Sequence, residues 1–334
     1  MRVSTSVAVV VAVVVVVGGV AYWWSGSHPA PPGPATSATP RIPAASPAPP
    51  PGAAAFTPPP DSAMPADEFG KEVRRGQLIF EQTGLYAKKY TGNVLTCANC
   101  HLDAGRLPNS APLWAAYVSY PAYRSKNKHV NTFQERMQGC FRFSMNGKAP
   151  PLGDSVLVAL ESYAYWLATG ARVNEAIAGR GYPKVPGPAL PPDDARGATV
   201  FAQHCALCHG AGGQGQRAGG AQVFPPLWGP ESFNWGAGMA VVNNAAGFIK
   251  ANMPLGLGGT LSDQDAWDVA AFMDGHERPQ DPRFAGSVEK TRALYHDSPM
   301  SRYGTTVNGV RLGAHSVAPG GSTRGASATR APSR

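Results

Sequence analysis

The chain is 334 residues long, with 29 Lys and Arg against 21 Asp and Glu, a net charge of +8 and a pI near 9.3. Its length allows about two domains, but 39 Gly and 33 Pro, crowded toward the two ends, leave less chain for packing. The basic residues form no run, so the charge points to anionic partners of some kind rather than to nucleic acid.

At the N-terminus Arg2 precedes an apolar run from Val7 to about Trp24. A cleaved signal peptide is one reading. The run also lies near the lower limit for a spanning helix, no small-x-small cleavage site follows it closely, and Tyr22, Trp23 and Trp24 suit a membrane interface. Residues 1–27 are therefore expected to form a signal or, in preference, an uncleaved anchor in the inner membrane; either sends the rest of the chain to the periplasm. Residues 28–66 are Pro- and Ala-rich with few charges, which predicts an extended tether. The opposite end, from about Gly313 to Arg334, reads as a disordered Gly/Ser/Ala/Arg tail.

Between these ends lies an imperfect repeat. Gly76-x-x-x-Phe80 and Gly197-x-x-x-Phe201 each sit in a helical pattern. Each is followed by Cys-x-x-Cys-His, at Cys97–His101 and Cys205–His209, and then by Pro-Leu-Trp, at Pro112–Trp114 and Pro226–Trp228. An irregular stretch comes next, then a strongly amphipathic helix. The first is predicted from about Ser155 to Leu167 with Asp154 as N-cap; the second follows Ser262, which pairs with Asp265 in a capping box. Helix, motif, loop, closing helix is the order of a class I cytochrome c domain. The chain thus resembles an all-α protein with two such domains in tandem, over residues 67–184 and 185–285, and a C-terminal extension over 286–334.

A c-type haem needs two thiols for its vinyl groups and an imidazole directly after the second to bind iron. Cys97, Cys100 and His101 supply one set and Cys205, Cys208 and His209 the other, so two covalently bound haems are expected. The sixth iron ligand should come from the loop before the closing helix. In the second domain Met253 lies there, with Met239 and Lys250 as competitors. In the first domain Cys140, the cysteine left over from five, fills the corresponding place; Met137, Met145 and His129 are alternatives, and a buried inert thiol is the plain reading.

The two domains differ in charge. From His101 to Pro150 there are seven basic residues, including Arg106, Arg124, Lys126, Arg136 and Arg142, against Asp103 and Glu135, for a net +5. Residues 209–258 hold Arg217 and Lys250 against Glu231, for a net +1. A basic lining around an iron-bound thiolate suits a small, doubly charged anion. The first haem is then expected to be catalytic and the second the electron exit.

The run Leu95-Thr-Cys-Ala-Asn-Cys-His-Leu-Asp-Ala-Gly-Arg106, followed by Tyr120-Pro-Ala-Tyr-Arg124, Glu135-Arg136, Gly139-Cys140-Phe141 and Ser144-Met-Asn-Gly147, resembles the thiosulfate dehydrogenase family of dihaem cytochromes. So do Phe224-Pro-Pro-Leu-Trp-Gly229, Asn234-Trp-Gly-Ala-Gly-Met239, Asn252-Met-Pro-Leu-Gly256 and His276-Glu-Arg-Pro-Gln-Asp-Pro-Arg283. The resemblance spans roughly Asp67 to Gly304. It implies coupling of two thiosulfates to tetrathionate with release of two electrons, a reaction some members run mainly in reverse. It also implies His101/Cys140 and His209/Met253 as iron ligands, and Arg124, Arg136 and Ser144, with Lys126 less firmly, in an anion pocket. Asn252 stands where some relatives carry a redox-switching Lys, which favours plain His/Met ligation at the second haem. Since a thiolate is a nucleophile as well as a ligand, Cys140 is expected to carry the terminal sulfur of one thiosulfate and pass it to a second.

A tethered dihaem electron shuttle needs neither the basic lining nor the free thiol, and would not respond to thiosulfate. A dihaem peroxidase would need an open distal site. The expected electron acceptor of the enzyme is a small c-type cytochrome or a high-potential iron–sulfur protein.

Overall fold

The computed structural model describes residues 55–173 and 175–316. The predicted anchor, most of the tether and nearly all of the tail lie outside the described residues. Among those described, no helix is long and apolar enough to cross a membrane.

The first domain is built on α1 (Glu68–Glu81), which Asp67 caps by accepting from the Gly70 N–H. A short α2 (Leu113–Tyr117) carries the buried Trp114, and α3 (Phe133–Gly139) follows a capping box made by Thr132 and Glu135. The closing helix α4 runs Ser155–Leu167, with Asp154 accepting from the Val156 N–H, as its sequence predicts. Eight of its thirteen residues are buried, so it packs on more than the one face that an amphipathic pattern suggests.

The second domain repeats the plan. Its opening helix α5 (Asp194–His204) is capped by Asp193, α6 (Val242–Asn252) leads to Met253, and α7 (Asp263–Asp274) closes the unit behind the predicted Ser262–Asp265 capping box. Why Gly recurs four residues ahead of Phe in both halves is plain from the crossings. A Cβ on Gly76 would stand 2.0 Å from the Ala159 carbonyl oxygen and 2.7 Å from Tyr163 Cβ; one on Gly197 would stand 2.2 Å from the Asp268 carbonyl oxygen and 2.6 Å from Phe272 Cβ. Each opening helix touches its closing helix, backbone to backbone, at the same two positions one turn apart. Gly76→Ala is therefore expected to destabilise by at least about 3 kcal/mol through overpacking, well above the ~1 kcal/mol it gains in helix propensity. Thermal unfolding of Gly76→Ala and Gly197→Ala checks this; unchanged midpoints would contradict the crossing geometry.

The described residues depart from the expectations, or add to them, at three points. They are largely helical rather than all-α, because three two-stranded antiparallel hairpins occur among them: β1–β2 (Ala122–Arg124, His129–Asn131), β3–β4 (Gln216–Ala218, Ala221–Phe224) and β5–β6 (Thr306–Val307, Val310–Arg311). Strands of two to four residues are too short to show alternation. Next, the tether is docked over its last dozen residues: Phe56 packs against Trp114 with ring centroids 5.1 Å apart, and Arg106 bonds both the Pro59 carbonyl and Asp61. Finally, the C-terminal extension is ordered through Ser316. Helix α8 (Val288–Tyr295) and the β5–β6 hairpin pack on the second domain, Tyr303 and Leu312 are fully buried, and Ser316 Oγ accepts from the Trp235 indole at 2.9 Å.

The two domains share a buried seam. Asn234 donates to the Arg142 carbonyl and to Asn146 Oδ1, its own N–H donates to the Phe143 carbonyl, and Asn93 bonds the Ser144 and Ser232 carbonyls together. The segment around Asn234 thus buttresses the loop that follows Cys140.

Candidate active site

The first motif opens on a short turn in which Thr96 N–H donates to Asn99 Oδ1 at 2.8 Å. Thr83, fully buried, accepts from the Cys97 N–H at 3.1 Å, with its hydroxyl 3.4 Å from Cys97 Sγ. His101 donates from Nδ1 to the Ala111 carbonyl at 2.7 Å, and in the second domain His209 Nδ1 meets the Pro225 carbonyl at 2.9 Å. In both halves the acceptor is the residue just ahead of Pro-Leu-Trp, which gives that repeated tripeptide a physical role. Holding the proton on Nδ1 leaves Nε2 with its lone pair for a metal. Burial also pushes His101 down to about 4 and lowers His209, so both rings stay neutral.

His101 faces a cavity of about 70 Å³ that Cys97, Cys100, Cys140 and Ser144 also line, with Phe80, Leu95, Leu113 and Leu160 as apolar wall. Met137 and Met145 line it too. Burial raises the Cys97 and Cys100 thiols to about 12 and Cys205 to about 11, keeping these sulfurs neutral.

Cys140 begins a π-helical turn, Cys140–Ser144, in which the Met145 N–H donates to the Cys140 carbonyl at 2.9 Å. The wider turn, grafted onto the end of α3, re-aims this stretch at the cavity. Arg136, one turn earlier, donates from Nη1 to Cys140 Sγ at 2.9 Å, and the Cys140 charge is the main influence raising the guanidinium's pKa.

The remaining predicted residues divide. Arg124 is exposed at the end of β1 and does not line the cavity; His129 is exposed and bonded to Glu135, away from it. Lys126 is likewise exposed as a residue and does not line the cavity, but its ammonium turns back onto the seam between the domains. Its ammonium lies 3.6 Å from the centre of the Phe143 ring and donates to the Gly236 carbonyl of the second domain. Burial, with Arg283 and Arg136 nearby, pushes it down to about 7. Arg283 and its partner Asp281 have no role in the sequence reading, although they end the noted His276–Arg283 block.

In the second domain Met253 follows the last residue of α6, half-buried, while Met239 sits on a short turn before that helix. Lys250 is engaged elsewhere, with its amine 2.5 Å from the Leu261 carbonyl and 3.0 Å from Asp263. The two motif regions meet at the inter-domain linker: Tyr182 Oη donates to the Cys100 carbonyl at 3.4 Å while its ring packs edge-on to Phe248 at 5.4 Å, and Asn252 donates to the Asn109 carbonyl.

The donor set fits haem c. Each motif offers two thiols that form no disulfide and an imidazole oriented by its other nitrogen, and the first adds a cavity with an apolar wall. Among the described residues no group of three or more His, Cys, Asp or Glu is placed to hold a bare metal ion. Fold and site together define a cytochrome c. Residues 82–173 match the family SoxA/TsdA, cytochrome c domain, and residues 192–273 match Cytochrome C oxidase, cbb3-type, subunit III. The chain is 64% identical over 253 residues to a thiosulfate dehydrogenase of Thiomonas intermedia, covering 76% of this chain and 81% of that one. It is 56% identical over 252 residues to one of Stutzerimonas stutzeri, covering 75% and 82%. Among solved structures, the thiosulfate dehydrogenase (TsdBA) of Marichromatium purpuratum superposes with a TM-score of 0.75 at 52% identity, over 78% of this chain and 57% of that one. The chain belongs to the thiosulfate dehydrogenase family.

Proposed function

We propose that this protein is a periplasmic dihaem oxidoreductase that couples two thiosulfates into tetrathionate and passes two electrons to a small c-type cytochrome or a high-potential iron–sulfur protein. Residues 67–184 form the catalytic domain and 185–285 the electron-transfer domain. Cys97, Cys100, His101 and Cys140 would hold the first haem, and Cys205, Cys208, His209 and Met253 the second. When bound, each haem c accepts one electron at a time.

The observation that carries this reading is the 2.9 Å contact from Arg136 to Cys140 Sγ, at a cavity that also presents the first motif. A cation in that position can offset negative charge gathered at the sulfur. The Cys140 thiolate and the terminal sulfur of one thiosulfate join in an S–S bond as two electrons leave, giving Cys140–S–S–SO3⁻. A second thiosulfate then attacks the sulfane sulfur bonded to Cys140 Sγ, breaking the Sγ–S bond, releasing tetrathionate and returning the Cys140 thiolate. Arg136 and Lys126 offset the negative charge of the two sulfonates, and Ser144 offers a hydroxyl in the cavity wall. Arg124, unlike Lys126, makes no contact with the Phe143 ring or the Gly236 carbonyl, and would share this task only with movement of the β1–β2 hairpin.

Because the Lys126 ammonium titrates near 7, its positive charge is present below that pH and lost above it. The apparent KM for thiosulfate is expected to rise severalfold from about pH 6 to about pH 8. Lys126→Arg should flatten that rise; an unchanged pH profile in this variant would remove Lys126 from the site.

Rapid mixing of the oxidised holoprotein with thiosulfate tests the function itself. The haem bands should shift to the reduced form, with one tetrathionate formed per two electrons. An electron shuttle would show neither.

A further inference from the structure

Gly236 marks a crowded point on the seam between the domains. A Cβ there would stand 2.4 Å from the Phe143 ring on one side and 3.1 Å from Asp281 Oδ2 on the other, while the Gly236 carbonyl accepts from Lys126. Phe143 belongs to the π-helical turn that begins at Cys140. The second domain therefore brings Asp281 to the back of the catalytic loop, and with it Arg283.

Arg283 is held from several directions. Asp281, fully buried, accepts from its Nε at 3.0 Å, its Nη2 at 2.6 Å and its backbone N–H at 2.8 Å. His296 of the C-terminal extension lies 3.0 Å from the same carboxylate through Nε2, and its ring stacks on the buried Tyr303 at 4.4 Å. The guanidinium carbon lies 4.9 Å from the Phe143 ring centre and 4.3 Å from that of Tyr295, so it rests between a ring of the first domain and one of the extension. Nη1 meets no acceptor among the described residues. A carboxylate this deeply buried is weakly justified as a source of stability, because desolvation offsets most of the attraction. It is well suited to fixing the plane of a cation whose free edge has other work.

We propose that Arg283, contributed by the second domain, binds a sulfonate group at the first domain's site, and that Asp281 and His296 are positioning residues for it. Lys126 and Arg283 then flank the same Phe143 ring from different domains, and the anion site is complete only when the domains and the C-terminal extension are docked. With Arg136 they place three cations against the single carboxylate of Asp281, which suits a site that must bring two dianions together. This inference rests on the thiosulfate reading above.

The test compares the holoprotein with Arg283→Gln, Arg283→Lys and His296→Gln, using thiosulfate kinetics and calorimetric titration with sulfate, an unreactive dianion. Arg283→Gln is expected to raise KM and weaken sulfate binding by about tenfold with little change in kcat, as loss of one charged hydrogen bond implies. Arg283→Lys should recover part of both, and His296→Gln should raise KM by less than Arg283→Gln does, again with kcat intact. Wild-type KM and sulfate affinity in Arg283→Gln would overturn the proposal; wild-type values in His296→Gln alone would overturn the positioning role. Failure of the wild-type protein to oxidise thiosulfate would instead sink the functional reading, and sulfate titration would still decide whether Arg283 binds dianions.

Discussion

Cys140→Met is expected to keep both haems attached yet lose thiosulfate oxidation by on the order of 10³-fold or more, as removal of an enzyme's nucleophile does. The substitution separates two roles of one sulfur. A thioether can occupy the side of the cavity facing His101, and the space is already apolar enough to accept it. It cannot form the S–S bond that carries the first thiosulfate, because it has no thiolate to lose electrons from. The measurement is steady-state turnover beside the absorption spectrum of the purified variant. Full activity with an intact spectrum would rule out the covalent route.

Arg136→Gln should lower kcat/KM by about 10- to 100-fold, the range expected when a hydrogen bond to a charged partner is removed. Arg136 donates to Cys140 Sγ from one turn back on the same stretch of helix, so no domain movement can substitute for it. With glutamine the dipole remains and the charge does not, so the thiolate loses its nearest counter-ion and the two sulfonates lose one of theirs. Arg136→Lys keeps the charge but not the planar fork, and should fall between the two. Wild-type kinetics for Arg136→Gln would show that the cationic lining beside Cys140 is incidental.

The parts of the protein that were legible in its sequence are those whose signals are local. Asp154, Ser262 and Asp265 mark their helix starts because a cap must satisfy N–H groups within the next turn. The Cys-x-x-Cys-His motifs are contiguous, and so is the π-turn's starting point at Cys140, although nothing in the local pattern announced the π geometry. Two of the hairpins did carry a readable cue: Gly219-Gly220 and Asn308-Gly309 both adopt positive φ, as two-residue turns of that kind demand. Contacts made at long range were invisible. Arg106 and Asp61 are 45 residues apart, so the end of the Pro-rich tether could not be seen to dock. The same holds for Arg283: its sequence neighbourhood shows Asp281, but only the fold brings Phe143, Lys126 and His296 to it. Arg124 illustrates the converse, a basic residue close in sequence to the site whose strand leaves it exposed.

Low-temperature electron paramagnetic resonance of the oxidised holoprotein, wild type against Cys140→Met, addresses the identity of the sulfur opposite His101 most directly. Two distinct ferric signals are predicted in the wild type, one of thiolate-ligated character, and that one alone should be replaced in the variant. A wild-type spectrum without a thiolate-type signal, or one that survives the substitution unchanged, would contradict the assignment of Cys140 to the first iron.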